Sequence, residues 1–70
     1  MKLSARNTLK GRVTKVTPGA VNAEVTLEIA PGIEVVSVIT LASVESLGLT
    51  EGKEAYAVIK ASNVMVAVED

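Results

Sequence analysis

The run Val21-Asn22-Ala23-Glu24-Val25-Thr26-Leu27-Glu28-Ile29 alternates without a break, apolar at odd positions and polar at even ones. Successive side chains of an extended chain point to opposite faces, so this run is a β-strand with one face on a core and the other in water. On its N-terminal side Thr17-Pro18-Gly19-Ala20 punctuates, and before that Leu9, Gly11 and Val13 alternate with Lys10 and Arg12. That earlier stretch predicts a first strand. On the C-terminal side lies Ala30-Pro31-Gly32, whose Pro-Gly pair suits the two central positions of a type II turn. Ile33 to Thr40 then resumes as a third strand.

From Thr40 to Leu49 the alternation stops. Leu41, Ala42, Val44 and Leu47 have helical spacing, and Gly48 is placed to end a short helix in the left-handed conformation. Either Thr40 or Ser43 caps its start. Thr50-Glu51-Gly52-Lys53 reads as a second turn, Glu54 to Lys60 as a fourth strand and Val64 to Val68 as a fifth, joined by Ala61-Ser62-Asn63. Five strands with one short helix between the third and fourth predict an all-β fold, a small five-stranded OB-like Greek-key barrel.

Seventy residues form one domain, 1–70, near the lower limit for a self-sufficient core. The chain has no cysteine and no histidine, which excludes disulfides, thiolate chemistry and zinc sites of the His/Cys kind. The longest apolar run, Val64 to Val68, is far below the ~20 residues of a membrane span, and no signal peptide is evident. A soluble, cytoplasmic protein is expected. Hydrophobic residues nevertheless make up 49% of the chain, with a mean hydropathy of +0.42, more than so small a monomer can hide. Val35-Val36-Ser37-Val38-Ile39 and Val64-Met65-Val66-Ala67-Val68 are apolar on both faces. A second buried face calls for a partner chain or a covering helix. One short helix cannot cover both, so self-association is expected.

Charge is unevenly spread within a net charge of −1. Lys2, Arg6, Lys10, Arg12 and Lys15 all precede the first acid, Glu24. Lys10, Arg12 and Lys15 read as a solvated strand face. Arg6 differs, because Ser4-Ala5-Arg6-Asn7 sets a cation beside a hydroxyl, and Lys60-Ala61-Ser62 does the same near the other end. No carboxylate lies between Met1 and Ala23 or between Ala55 and Ala67. Donors and positive charge without acceptors suit a fully deprotonated tetrahedral oxyanion, whose oxygens only accept. Other function classes fit poorly. Nucleic-acid binding on such a barrel uses aromatic platforms and a basic groove, whereas Tyr56 is the sole aromatic residue here. An enzyme needs a nucleophile, base or metal centre, and the acids are scattered on outward positions such as Glu24, Glu28 and Glu34, so none is expected.

Several fragments together resemble a known family, the molybdate-binding Mop proteins or molbindins, a domain of the TOBE type. They are Ser4-Ala5-Arg6-Asn7 with Leu9-Lys10-Gly11, Gly19-Ala20-Val21-Asn22-Ala23-Glu24-Val25, Ile39-Thr40 with Ser43, Leu47-Gly48-Leu49, and Lys60-Ala61-Ser62 followed by Val64-Met65. The resemblance runs essentially the full length. It implies a barrel subunit that exchanges a strand with a partner, and a hexamer built as a trimer of dimers. It also implies molybdate, and usually tungstate, held between subunits as cargo, with no catalytic cofactor, for molybdenum storage or homeostasis. In that arrangement Thr40 and Ser43 of one subunit complete the site made by Ser4, Ala5, Arg6 and Asn7 with Lys60, Ala61 and Ser62 of another. Gly19, Ala20, Val21 and Asn22 form either an ordinary hairpin turn or a second anion site near a threefold axis. The competing reading is a regulatory or assembly module, the same domain from a molybdate transporter or regulator, in which anion binding signals to a neighbour.

Overall fold

A computed structural model describes residues 1–70. The alternating run forms β2, Asn22–Ala30, with Ala23, Val25 and Leu27 buried on one face and Glu24 and Glu28 exposed on the other. It lies between β1 (Asn7–Pro18) and β3 (Ile33–Thr40), and β4 (Glu54–Ile59) pairs with the other side of β1. All pairings are antiparallel and the spatial order is β3-β2-β1-β4. That order is a Greek key, in which the last strand returns beside the first.

β1 is the longest element because it serves two neighbours. Its first half, Asn7 to Arg12, pairs with β4, and its second half, Arg12 to Pro18, pairs with β2. The register with β2 slips between Val13 and Lys15, leaving Thr14 as a bulge. Such a bulge bends its strand and increases local twist, which here curls the sheet into a half-barrel. Near this bend Gly11 has no room for a side chain. A methyl group placed on it would sit 2.6 Å from the carbonyl oxygen of Glu28 and 3.0 Å from Ile29 Cγ2. Gly11→Ala is therefore expected to destabilise the fold by about 1–3 kcal/mol through overpacking against a backbone that cannot yield, read as a shifted urea midpoint.

Val13, Val25, Leu27 and Ala57 form the core on the concave face, flanked by Val16, Val35, Ile39, Val44, Leu49 and Ala55. Only five of the 70 residues are fully buried, so most of the apolar content is left partly or wholly in water. The helix α1, Leu41–Leu47, closes one end. Of the two capping residues considered, Thr40 takes the role: its hydroxyl accepts from the Ser43 amide at 3.1 Å. Gly48 ends the helix at φ 61°, its amide bonding back to Glu45 and Val44 carbonyls. Lys53 Nζ donates to the Leu47 carbonyl at 2.6 Å, placing positive charge at the negative end of the helix dipole.

The expected fifth strand is not formed. The sheet has four strands, and residues 64–70 follow a short 3₁₀ turn at Ala61–Asn63 without joining it. Met65, Val66 and Val68 are 95%, 89% and 88% exposed. Apolarity gives this segment a reason to be buried, but a strand also needs a ladder partner, and the turn carries the segment clear of the sheet. The barrel is accordingly open. β3 and β4 are the two ends of the strand order and do not pair. Between them lies a cavity of about 390 Å³, lined by Ile39, Leu47, Leu49, Ala55 and Val58 among others.

Candidate functional site

β1 begins at Asn7 and β4 ends at Ile59, and these two residues are opposite one another in the ladder. Arg6 and Lys60 are the next residues along the chain beyond this last ladder pair. Ser4 and Ala5 precede Arg6, and Ala61 and Ser62 follow Lys60 in the 3₁₀ turn, outside the ladder. Two cation-hydroxyl segments at opposite ends of the sequence thus become neighbours at one end of the β1–β4 pair. The turn is held by the Asn63 amide bonding the Lys60 carbonyl at 2.8 Å and the Val64 amide bonding Ala61 at 3.2 Å.

Ser4, Arg6, Lys60, Ala61 and Ser62 are exposed, while Ala5 and Asn7 are half-buried. Neither Arg6 nor Lys60 is in an ion pair; the chain's salt bridge is Lys10 to Glu54 at 3.4 Å, on the exposed face. The Asn7 side chain is already engaged, its Nδ2 donating to the Ile59 carbonyl at 3.3 Å. Sequence reading placed Asn7 beside the anion but gave no sign of this cross-strand bond, which depends on a partner 52 residues away.

Thr40 and Ser43 lie elsewhere in the same chain. β3 is at one edge of the sheet and β4 at the other, with β2 and β1 between, so this hydroxyl pair is not beside Arg6 and Lys60. It adjoins the turn of Gly19, Ala20, Val21 and Asn22 instead. Asn22 is opposite Thr40 in the ladder, and the Leu41 amide bonds the Val21 carbonyl at 2.9 Å. The turn closes on itself through the Gly19 amide and the Asn22 carbonyl at 2.7 Å. Thr40 Oγ1 donates to Ser43 Oγ at 2.9 Å while accepting from the Ser43 amide. With one lone pair of Ser43 so occupied, its own hydroxyl proton remains to be donated outward. Capping and anion binding are compatible here, because they draw on different hydroxyl groups. Lys53 was read only as a turn residue; its place just beyond a helix end was the available signal for its capping role.

Comparison with known proteins gives one answer. Residues 3–66 match the TOBE domain family. A probable molybdenum-pterin-binding protein of Haemophilus influenzae is 54% identical over 69 residues, covering 99% of this chain and 100% of that protein. Among solved structures, MopII of Clostridium pasteurianum matches with a TM-score of 0.88 and 51% identity, over 96% of this chain and 100% of that one. A molybdate-binding protein from Sporomusa ovata matches with a TM-score of 0.90 and 35% identity, over 97% and 100%. With its half-barrel, its β1–β4 end and these full-length matches, the chain belongs to the TOBE-domain family and, within it, to the small molybdenum-pterin-binding Mop proteins.

Proposed function

We propose that this chain, acting as a single domain, binds molybdate, and tungstate with it, at interfaces between its own copies, and serves to hold molybdenum in the cytoplasm. The observation that carries the reading is the last β1–β4 ladder pair, Asn7 with Ile59, which Ser4-Ala5-Arg6 and Lys60-Ala61-Ser62 directly flank in sequence, neither stretch containing a carboxylate. A dianion removed from water needs compensating charge and several hydrogen bonds. Arg6 supplies a planar fork of donors and Lys60 a compact ammonium. Ser4 and Ser62 add hydroxyl donors, and the small Ala5 and Ala61 leave backbone amides accessible. The Mop relatives whose names carry molybdenum or molybdate point the same way.

Selectivity follows from what such a site lacks. Hydrogen phosphate keeps an O–H, and a pocket without acceptors leaves that donor unpaired at a cost of about 1–3 kcal/mol. Sulfate has no O–H to strand, so it is rejected on size. Thr40 and Ser43 sit too far across the sheet to join the site of their own chain, and they complete the site of a neighbouring copy. The apolar segment Val64–Val68 fits the open seam between β3 and β4 of a partner, where it closes the barrel by strand exchange. Dimers made this way assemble further, into a hexamer. The turn Gly19–Asn22, beside Thr40, offers amides for a second anion. Bound molybdate is cargo and undergoes no chemistry.

Isothermal titration with molybdate, tungstate, sulfate and phosphate, after sizing the assembly, tests this reading. The expected result is saturable uptake of molybdate and tungstate by a multi-subunit species, with phosphate and sulfate much weaker. Absence of binding to either large oxyanion would sink it.

A further inference from the structure

We infer that Asn7 is a positioning residue that sets the gap between Arg6 and Lys60 and thereby the size of oxyanion accepted; this rests on the binding site proposed above. Three observations lead to it. Asn7 and Ile59 are the last opposed pair of the β1–β4 ladder on the site side. Asn7 Nδ2 donates to the Ile59 carbonyl at 3.3 Å, from a half-buried position. Immediately outside this pair in sequence stand two cations, Arg6 and Lys60, and no carboxylate lies within residues 1–23 or 55–67.

Two like charges held close together push a strand end apart, and the β1–β4 ladder has no pair beyond Asn7 and Ile59 to resist them. The side-chain bond is the last tie across the strands before the site. One of its two amide N–H donors goes to the Ile59 carbonyl, and through this tie Asn7 acts on the spacing of its neighbours. A fixed gap favours one radius of tetrahedral anion over another, and molybdate is larger than sulfate. Without the tie the gap widens and fluctuates, and the preference for size is lost along with part of the affinity.

The test uses the full chain and three variants: Asn7→Ala, Asn7→Asp and Thr14→Val. Thr14 Oγ1 makes a bond of the same kind and length, to the Thr26 carbonyl at 3.3 Å, but between β1 and β2 and away from the site. In amide hydrogen exchange without anion, Asn7→Ala should speed exchange around residues 6–8 and 59–61 by about fivefold, the weight of one net hydrogen bond, and leave the β2–β3 amides unchanged. In titration, its molybdate affinity should fall by about fivefold, and the molybdate-to-sulfate ratio should narrow. Asn7→Asp, which loses the donor and adds an anion, should bind still more weakly. Thr14→Val should leave both affinities and their ratio unchanged. An equal loss for both anions at unchanged exchange would make Asn7 a direct ligand and overturn the inference. So would a lowered melting temperature with the anion ratio intact. Exchange is measured without ligand, so its result stands even if the wild-type chain binds neither anion, the outcome that sinks the proposed function itself.

Discussion

Ending the chain at Asn63 is expected to leave a monomer in sedimentation or size-exclusion experiments at micromolar concentration. The deleted stretch carries Val64, Met65, Val66 and Val68, of which the last three are almost fully exposed and Val64 is half-exposed. Fully burying one such side chain contributes about 1.5–3 kcal/mol, so the four together give about 6–12 kcal/mol. Association costs about 4–15 kcal/mol in lost translational and rotational freedom. One inserted segment therefore only balances that cost, whereas a reciprocal exchange supplies the favourable term twice and exceeds it. Dimers held by two mutual insertions are the stable outcome, and removing the segment removes both at once. The seam of about 390 Å³ between β3 and β4 would then stay open to water. Val66→Asp, which keeps the length and places a charge in the middle of the segment, should weaken the assembly in the same direction. An unchanged oligomer after truncation would refute the exchange.

Arg6→Ala and Lys60→Ala are each expected to weaken molybdate binding by about 10–150-fold, the equivalent of one charge-assisted hydrogen bond of about 1.5–3 kcal/mol. Arg6→Lys should fall between wild type and Arg6→Ala, because it keeps the charge and loses the planar fork. The accompanying stability change has the opposite sign from that of an ordinary ion-pair deletion. Arg6 and Lys60 are exposed and in no salt bridge, and both flank the last β1–β4 ladder pair. Removing either should leave the unliganded melting temperature unchanged or slightly higher, while abolishing most of the rise that molybdate produces in the wild type. Titration calorimetry and thermal denaturation of the same samples separate the two effects. Undiminished affinity in both alanine variants would show that the anion is held elsewhere.

What could be read from the sequence was what depends on near neighbours. The alternation of residues 21–29 identified β2 and its buried face, and Pro31-Gly32 marked the following turn, where Gly32 has φ 76°. Gly48 gave the helix end. Thr40 and Ser43 were equivalent as caps on paper, and hydrogen bonding chose Thr40. The misreading of Val64–Val68 has one physical root: strand propensity is local, but a ladder requires a second strand in reach. The pairing of Arg6 with Lys60 was hidden for a related reason. Each segment revealed its own chemistry, and only the pairing of β1 with β4 brings the ends of both strands together. The Asn7 bond and the Thr14 bulge were equally out of sight, since neither residue type announces its partner.

The two faces of β1 in the strand order also set a sequence of events. β2 and β3 meet across a turn in which Ala30 is opposite Ile33, and β1 meets β2 with Pro18 opposite Ala23. Both are short closures. β4 must instead come back to the start of the chain, joining Asn7 to Ile59 across 52 residues. Closure entropy rises by about 0.6 kcal/mol per doubling of the loop, so this return costs about 2–3 kcal/mol more than either hairpin. Contacts of such long range reward the chain late in folding. A β1–β2–β3 meander is therefore expected to form ahead of the β4 return, and the ends of β1 and β4 that flank Asn7 and Ile59 to meet only after it. On the site proposed above, a nascent chain that has not yet made β4 is expected to capture no anion.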